Sequence, residues 1–263
     1  MAWRICLAFT IGLLWQVRAS TAAEDPVQKW EIDGVERQGL VYAPESAKTD
    51  PAPLLFAFHG HGGSMHNAAN TFKYEKLWPE AIVVYLQGLP TPGRLTDPEG
   101  KKAGWQSSAG DQGDRDLKLF DAVLKWAHET YKVDDKRVYC AGHSNGGGFT
   151  YLLWATRGDT FAAVAPASAA GLNLLRDLKP KPLLHIGGLK DPLVKFEWQK
   201  TMIDAARKID GCDPEGKPDG DRITTYPSAT GTPVETYLYD GGHSPPPEAW
   251  AEVVKFFKDH PSK

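Results

Sequence analysis

The feature that most restricts the fold is Gly142-His143-Ser144-Asn145-Gly146, set between the apolar run Val138-Tyr139-Cys140-Ala141 and a helical stretch from Asn145 to Thr156. A serine on so sharp a strand-to-helix turn crowds its neighbours, so the positions two before and two after it must be small. Gly142 and Gly146 satisfy that demand, and Gly147 and Gly148 let the helix approach the sheet closely. Such a turn calls for a mostly parallel sheet with helices on both faces, because strand and helix must alternate to return the chain to the same edge.

The rest of the sequence reads that way. Lys29 to Ala43 alternates apolar and polar residues around Asp33-Gly34, as a hairpin does. Pro53 to Phe58 and Ala81 to Leu86 are continuous apolar runs suited to strands buried on both faces. Between Gln87 and Asp114 the chain is rich in Gly, Pro and Asp, a loop long enough to be functional, with Gly104-Trp105 in its middle. Leu117, Phe120, Val123, Leu124, Ala127 and Tyr131 form one helical stripe, and Asp114 and Asp116 sit at its favourable N-terminal end. Strands are expected at Arg137 to Ala141, Phe161 to Pro166, Pro182 to Ile186 and Val234 to Tyr239, and helices at Phe196 to Ile209 and Pro247 to Lys258. No repeat or linker interrupts the pattern, which predicts a single α/β domain over residues 24–263.

Residues 1–23 read as a signal peptide rather than as part of the fold, with an uncleaved anchor as the alternative. Arg4 precedes an apolar stretch from Ile5 to Trp15, and small residues follow in Ala19-Ser20-Thr21-Ala22-Ala23. The expected location is therefore secreted or periplasmic, with no membrane attachment after cleavage. Cys6 leaves with the leader; Cys140 and Cys212 are expected to remain as unpaired thiols. Thirty basic residues against 33 acidic give a formal charge of −3. No Lys/Arg cluster is long enough to track phosphates, which argues against a nucleic-acid partner. Hydrophobic residues at 41% and charged residues at 24% exclude a disordered chain or a rod. The chain is expected to act as a monomer.

A serine nucleophile needs a base, and the base needs an orienting acid. On a nucleophile elbow these follow the serine in the order acid, then histidine, each in a loop after a strand. Asp191 follows Leu183-Leu184-His185-Ile186 through Gly187-Gly188-Leu189-Lys190, and His243 follows Tyr237-Leu238-Tyr239 through Asp240-Gly241-Gly242. Ser144, Asp191 and His243 are the expected catalytic set, with Asp240 as the alternative acid. His59-Gly60-His61-Gly62-Gly63, after an early buried strand, is where a second oxyanion N–H belongs. The backbone N–H groups of His61 and Asn145 are assigned to that hole, with Gly62 as the fallback for His61. Trp105 and His143 are assigned to substrate contact, Trp105 either as a wall for an acyl group or as an anchor of its loop. A metal site at His59, His61 and His66 is the rival reading; it lacks further ligands at suitable spacing, so no metal or other cofactor is expected. His128 and His185 read as structural.

These motifs, together with VDDKRVYCAGHSNGG and GGLKDP, resemble the exported α/β-hydrolases of the polyhydroxybutyrate depolymerase and feruloyl esterase type. The resemblance runs from about Gln38 to the C-terminal helix and is densest from Val133 to Ala167. It implies an α/β-hydrolase fold without a separate lid domain. It also implies hydrolysis of carboxylic esters, small or polymeric, with Ser144, Asp191 and His243 at the triad positions. Gly187, Pro245 and Ser228-Ala229 depart from residues common in that family, and those loops shape the pocket. A peptidase or an acyltransferase on the same scaffold, or a non-catalytic binding protein, are the alternatives.

Overall fold

The computed structural model describes residues 26–262; the expected signal peptide at 1–23 lies outside them. The chain opens with the hairpin β1 (Val27–Ile32) and β2 (Val35–Tyr42), turning at Asp33-Gly34 with both residues at positive φ. Then come β3 (Ala52–Phe58), the helices α1 (Met65–Phe72) and α2 (Tyr74–Leu77), and β4 (Ile82–Leu86). A two-residue ladder, β5 (Leu89–Pro90) with β6 (Ala103–Gly104), ties the long loop back on itself before α3 (Arg115–Thr130). The remaining elements are β7 (Val133–His143), α4 (Asn145–Arg157), β8 (Ala163–Ala167), β9 (Leu183–Gly188), α5 (Phe196–Ile209), β10 (Lys217–Asp219), β11 (Ile223–Tyr226), β12 (Val234–Tyr239) and α6 (Ala249–Asp259).

Ten strands form one sheet in the order β1-β2-β4-β3-β7-β8-β9-β12-β11-β10. From β4 to β12 every pairing is parallel, and the antiparallel pairs lie toward the two edges. Successive residues of β3 serve opposite faces, as the pleat requires. Leu54, Phe56 and Phe58 join a core with Phe120 of α3, Phe149 of α4 and Met202 of α5. Leu55 and Ala57 join another with Phe72 of α1, Tyr74 of α2 and Phe257 of α6. Helices therefore cover both faces, and the fold is that of an α/β-hydrolase.

Two regions differ from the sequence reading. Helices α1 and α2 fill the stretch between β3 and β4, which shows no long apolar stripe; α1 starts because the Ser64 hydroxyl accepts from the N–H of Asn67 at 3.1 Å. The hairpin β10–β11 extends the sheet beyond β12, yet its residues are exposed or half-buried and so leave little hydrophobic pattern. Cys140 is buried in β7, Cys212 is half-buried, and both are free thiols.

Candidate active site

Every parallel strand points its carboxyl end to the same edge, and the loops leaving that edge build the site. β7 ends at His143, α4 begins at Asn145, and Ser144 between them sits at φ 56° and ψ −119°. That left-handed conformation is costly for a residue with a side chain, and the surroundings hold it in place. The Ser144 N–H donates to the carbonyl of Ala167 on β8 at 2.8 Å. A Cβ on Gly146 would stand 2.3 Å from the Phe58 carbonyl oxygen, and one on Gly142 the same distance from that of Gly146, so neither glycine can be replaced without moving backbone.

Asp191, after β9, and His243, after β12, converge on Ser144. His243 Nε2 lies 2.8 Å from Ser144 Oγ, and His243 Nδ1 lies 2.8 Å from Asp191 Oδ2. A carboxylate only accepts, so the imidazole proton resides on Nδ1 and the bare Nε2 faces the serine hydroxyl. Asp191 is itself held: Oδ1 accepts from the N–H groups of Leu193 at 2.9 Å and Val194 at 3.0 Å, and Oδ2 also accepts from Gln199 Nε2 at 3.2 Å. Gln199 Oε1 is turned away from the carboxylate by His185 Nε2 at 3.1 Å, and His185 Nδ1 meets the Tyr151 hydroxyl at 2.8 Å. His185 is buried, and burial pushes its pKa down to about 4, so the ring stays neutral and keeps its proton on Nε2. Asp240, the alternative acid, points elsewhere; it is exposed and pairs with Lys190 at 2.7 Å.

His143 lines the cleft, but its Nε2–H donates to the main-chain carbonyl of His243 at 2.9 Å, with the two rings 4.9 Å apart. Burial lowers its pKa to about 4, so the ring is neutral, and the carbonyl partner fixes its single proton on Nε2. His143 thus lines the cleft as expected for a substrate contact, while its Nε2 is engaged in bracing the His243 loop. Tyr239 braces the same loop through its hydroxyl, which donates to the Gly242 carbonyl at 2.8 Å.

The loop after β3 faces Ser144 from the other side. The Gly62 N–H donates to the Ala103 carbonyl at 2.7 Å, which removes the fallback oxyanion donor. The N–H of Asn145 opens α4, where no intrahelical acceptor exists. No backbone acceptor among the described residues takes the His61 N–H. His59 uses both ring nitrogens internally, Nδ1 toward the Gly60 carbonyl at 2.8 Å and Nε2 accepting from the Gly88 N–H at 3.0 Å. His61 Nε2 meets Asp97 Oδ2 at 3.0 Å. Among the described residues no group of three His, Cys, Asp or Glu is placed to hold a metal ion.

Ala103, Gly104 and Trp105 form a strap across this region. Besides the Gly62–Ala103 bond, the Trp105 N–H donates to Asn145 Oδ1 at 2.7 Å and Asn145 Nδ2 donates to the Trp105 carbonyl at 3.1 Å. Gly104 must lack a side chain, since a Cβ there would meet His61 Nδ1 at 2.6 Å and Asn145 Oδ1 at 2.9 Å. The indole of Trp105 is 1% exposed, stacks on Phe149 at 5.2 Å and donates from Nε1 to the His59 carbonyl at 2.9 Å. The reading of Trp105 as an acyl wall is corrected: the ring is core, and the anchor reading holds. Its neighbour Gln106 continues the anchorage, its N–H donating at 2.9 Å to Asp116, which is buried against Arg37 at 2.8 Å.

Above Ser144 opens a cleft of about 840 Å³. In the strand order, β4 and β3 lie on one side of β7 and β8 and β9 on the other. The wall from the β8 and β9 loops carries Ala169, Leu172, Leu193 and Val194, with Trp198 of α5. Leu172 and Leu193 are each 43% exposed, which is unfavourable for leucine unless something covers them. The wall from the β3 and β4 loops carries Arg94, Leu95, Thr96 and Lys102, with Asn67 and Thr71 of α1. Sequence reasoning missed these wall residues; the available signal was leucine in loops that leave the strand ends beside Ser144.

Residues 99–180, from the strap through the elbow to β9, match the model of the prolyl oligopeptidase family. Feruloyl esterase C of Emericella nidulans is 29% identical over 204 residues, covering 75% of this chain and 72% of that protein. The probable feruloyl esterase C of Aspergillus flavus is 27% identical over 248 residues, covering 90% and 88%. Among solved structures, the acetyl xylan esterase from Aspergillus awamori superposes with a TM-score of 0.68 over 88% of this chain and 98% of its own, at 14% identity. Sheet order, elbow and these likenesses define an α/β-hydrolase. Within that fold the chain is a carboxylic ester hydrolase, and it is similar in sequence to the feruloyl esterases just named.

Proposed function

We propose that the protein is a serine esterase that cleaves feruloyl-type esters, those of aromatic or similarly apolar acids, through an acyl-enzyme on Ser144. The observation that carries this reading is the continuous Ser144–His243–Asp191 hydrogen-bond chain at the floor of a cleft with one apolar wall. His243 Nε2 takes the hydroxyl proton as Ser144 Oγ bonds to the ester carbonyl carbon. Asp191 stabilises the imidazolium that results. The carbonyl oxygen, now negative, lies against the N–H groups of His61 and Asn145. The imidazolium returns the proton to the departing alkoxide, which leaves as the alcohol. Water then repeats the sequence on the acyl-enzyme, with His243 as base, and releases the acid and free Ser144.

Leu172, Leu193 and Trp198 form the surface for the acyl group, because burial of a flat apolar ring there removes exposed leucine from water. The relatives named feruloyl esterases support the same acyl class. The prolyl oligopeptidase match spans the strap, the elbow and the strands around them, a framework that acyl transfer to water uses whatever the leaving group. The composition of residues 1–23 supports an exported enzyme, and no described helix is long and apolar enough to cross a membrane.

Hydrolysis of methyl ferulate, p-nitrophenyl acetate, hydroxybutyrate oligomers and a peptidyl anilide by the purified protein tests the assignment. Methyl ferulate should give the highest kcat/KM of the unactivated substrates. Cleavage of the anilide alone would instead establish a peptidase.

A further inference from the structure

The charge around the cleft differs from that of the molecule. The chain is acidic overall, at −3, yet no aspartate or glutamate lines the cleft, whereas Arg94 and Lys102 do. About half of the described Lys and Arg side chains face carboxylates, as in Lys29–Glu36 at 3.0 Å, Lys118–Asp33 at 2.6 Å and Lys190–Asp240 at 2.7 Å. Arg94 and Lys102 face none among the described residues. The two acids nearest in sequence are engaged: Asp97 accepts from His61 and from the N–H groups of Lys101 and Lys102, and Glu99 pairs with Lys101.

Lys102 is also held in place. Its N–H donates to Asp97 Oδ2 at 2.8 Å, and its stem crosses Gly62, where an added Cβ would stand 3.3 Å from Lys102 Cδ. The ammonium is therefore carried beside the oxyanion loop, on the wall opposite Leu172, Leu193 and Trp198. Glu99 is balanced by Lys101, so Arg94 and Lys102 outnumber the one remaining carboxylate of this loop, Asp97, and the net positive charge favours anionic ligands in the cleft. Arg94 adds a planar fork that matches a carboxylate.

We propose that the cleft selects esters whose alcohol part bears a carboxylate, seated against Arg94 and Lys102 while the acyl group lies on the leucine wall. A carbohydrate containing uronic acid is the alcohol class with that chemistry. This inference rests on the esterase reading and names the other half of its substrate.

The test compares two feruloyl esters linked at the same hydroxyl, one of methyl glucoside and one of methyl glucuronide. The glucuronide should be preferred by about 3- to 10-fold in kcat/KM at low ionic strength, chiefly through KM, since each exposed charge pair contributes modestly. The preference should shrink toward unity at about 0.5 M salt, where the Debye length is only a few ångströms. It should also collapse at low salt in the double variant Arg94→Gln, Lys102→Met, which removes both charges and keeps most of the stems. A third comparison moves the charge to the acid side, with monomethyl terephthalate against methyl 4-methylbenzoate, and no comparable preference is expected. Cleavage of both feruloyl esters without preference, a preference surviving in the double variant, or an equal preference on the acid side each overturns the proposal alone. Failure to cleave either feruloyl ester overturns the esterase reading and this proposal with it.

Discussion

Asn145 and Trp105 grip each other by two hydrogen bonds, the Trp105 N–H to Asn145 Oδ1 at 2.7 Å and Asn145 Nδ2 to the Trp105 carbonyl at 3.1 Å. The residue whose N–H is assigned to the oxyanion is thus tied through its side chain to a strap that also bonds Gly62, next to the other assigned donor, His61. Replacing Asn145 with Ala keeps the N–H and removes the tie. We expect kcat to fall about 10-fold on every ester, less than the 100-fold or more that follows loss of an oxyanion donor, with KM little changed. Steady-state kinetics on acetate and ferulate esters checks this; an unchanged kcat would show that the tie is only structural.

Trp105→Ala should remove a buried indole packed on Phe58 and Phe149 and cost about 3–5 kcal/mol of stability. Because the ring is core, losses on aromatic and acetyl esters should be similar. A selective loss on the aromatic ester alone would restore the indole as an acyl wall.

Ser144→Ala should lower turnover by roughly 10⁴-fold or more while the protein stays folded, and Asp191→Asn should be nearly as damaging. Asp240→Asn should matter little, since Asp240 meets only Lys190 at the surface. Comparing kcat of the two asparagine variants decides between the acids, and a reversed order would overturn the Asp191 assignment.

Stability should respond to pH with two opposing contributions. His143 and His185 have pKa values lowered to about 4 by burial, against an ordinary 6.5. The unfolded chain therefore binds more protons between those values. Their contribution is complete above pH 6.5 and is lost as pH falls toward 4. Asp210 behaves oppositely: burial raises its pKa to about 7 from 3.8, so its contribution is greatest below 3.8 and is lost as pH rises through 7. Asp210 Oδ1 accepts from the Lys181 N–H at 2.7 Å, a bond that an asparagine oxygen can keep. Asp210→Asn should accordingly raise the melting temperature at pH 8 and change it little at pH 4; thermal unfolding across that range tests the sign.

Much of the fold was legible because its strands are buried on both faces. Continuous apolar runs such as Leu54 to Phe58 and Ile82 to Leu86 have few alternatives once bounded by Gly and Pro. The elbow was legible for a local reason as well: at positions 142 and 146 only glycine tolerates backbone oxygens 2.3 Å from a would-be Cβ. The hairpin β10–β11 and the helices α1 and α2 were not, since half-exposed strands and a short capped helix carry weak periodicity.

The amino-acid order alone determined which strand ends carry Ser144, Asp191 and His243, because each sits just past an apolar run and the parallel order carries those ends to one edge. Tertiary structure decided what depends on distances across the sheet: that Asp191 rather than Asp240 reaches the imidazole, and that His143 braces the His243 loop. It also decided that Trp105 fills the core, and that the cleft presents Leu172, Leu193 and Trp198 toward β9 and Arg94, Leu95 and Lys102 toward β4. Those outcomes arise between residues 40 to 100 positions apart in the chain, where no local pattern records which side chain meets which.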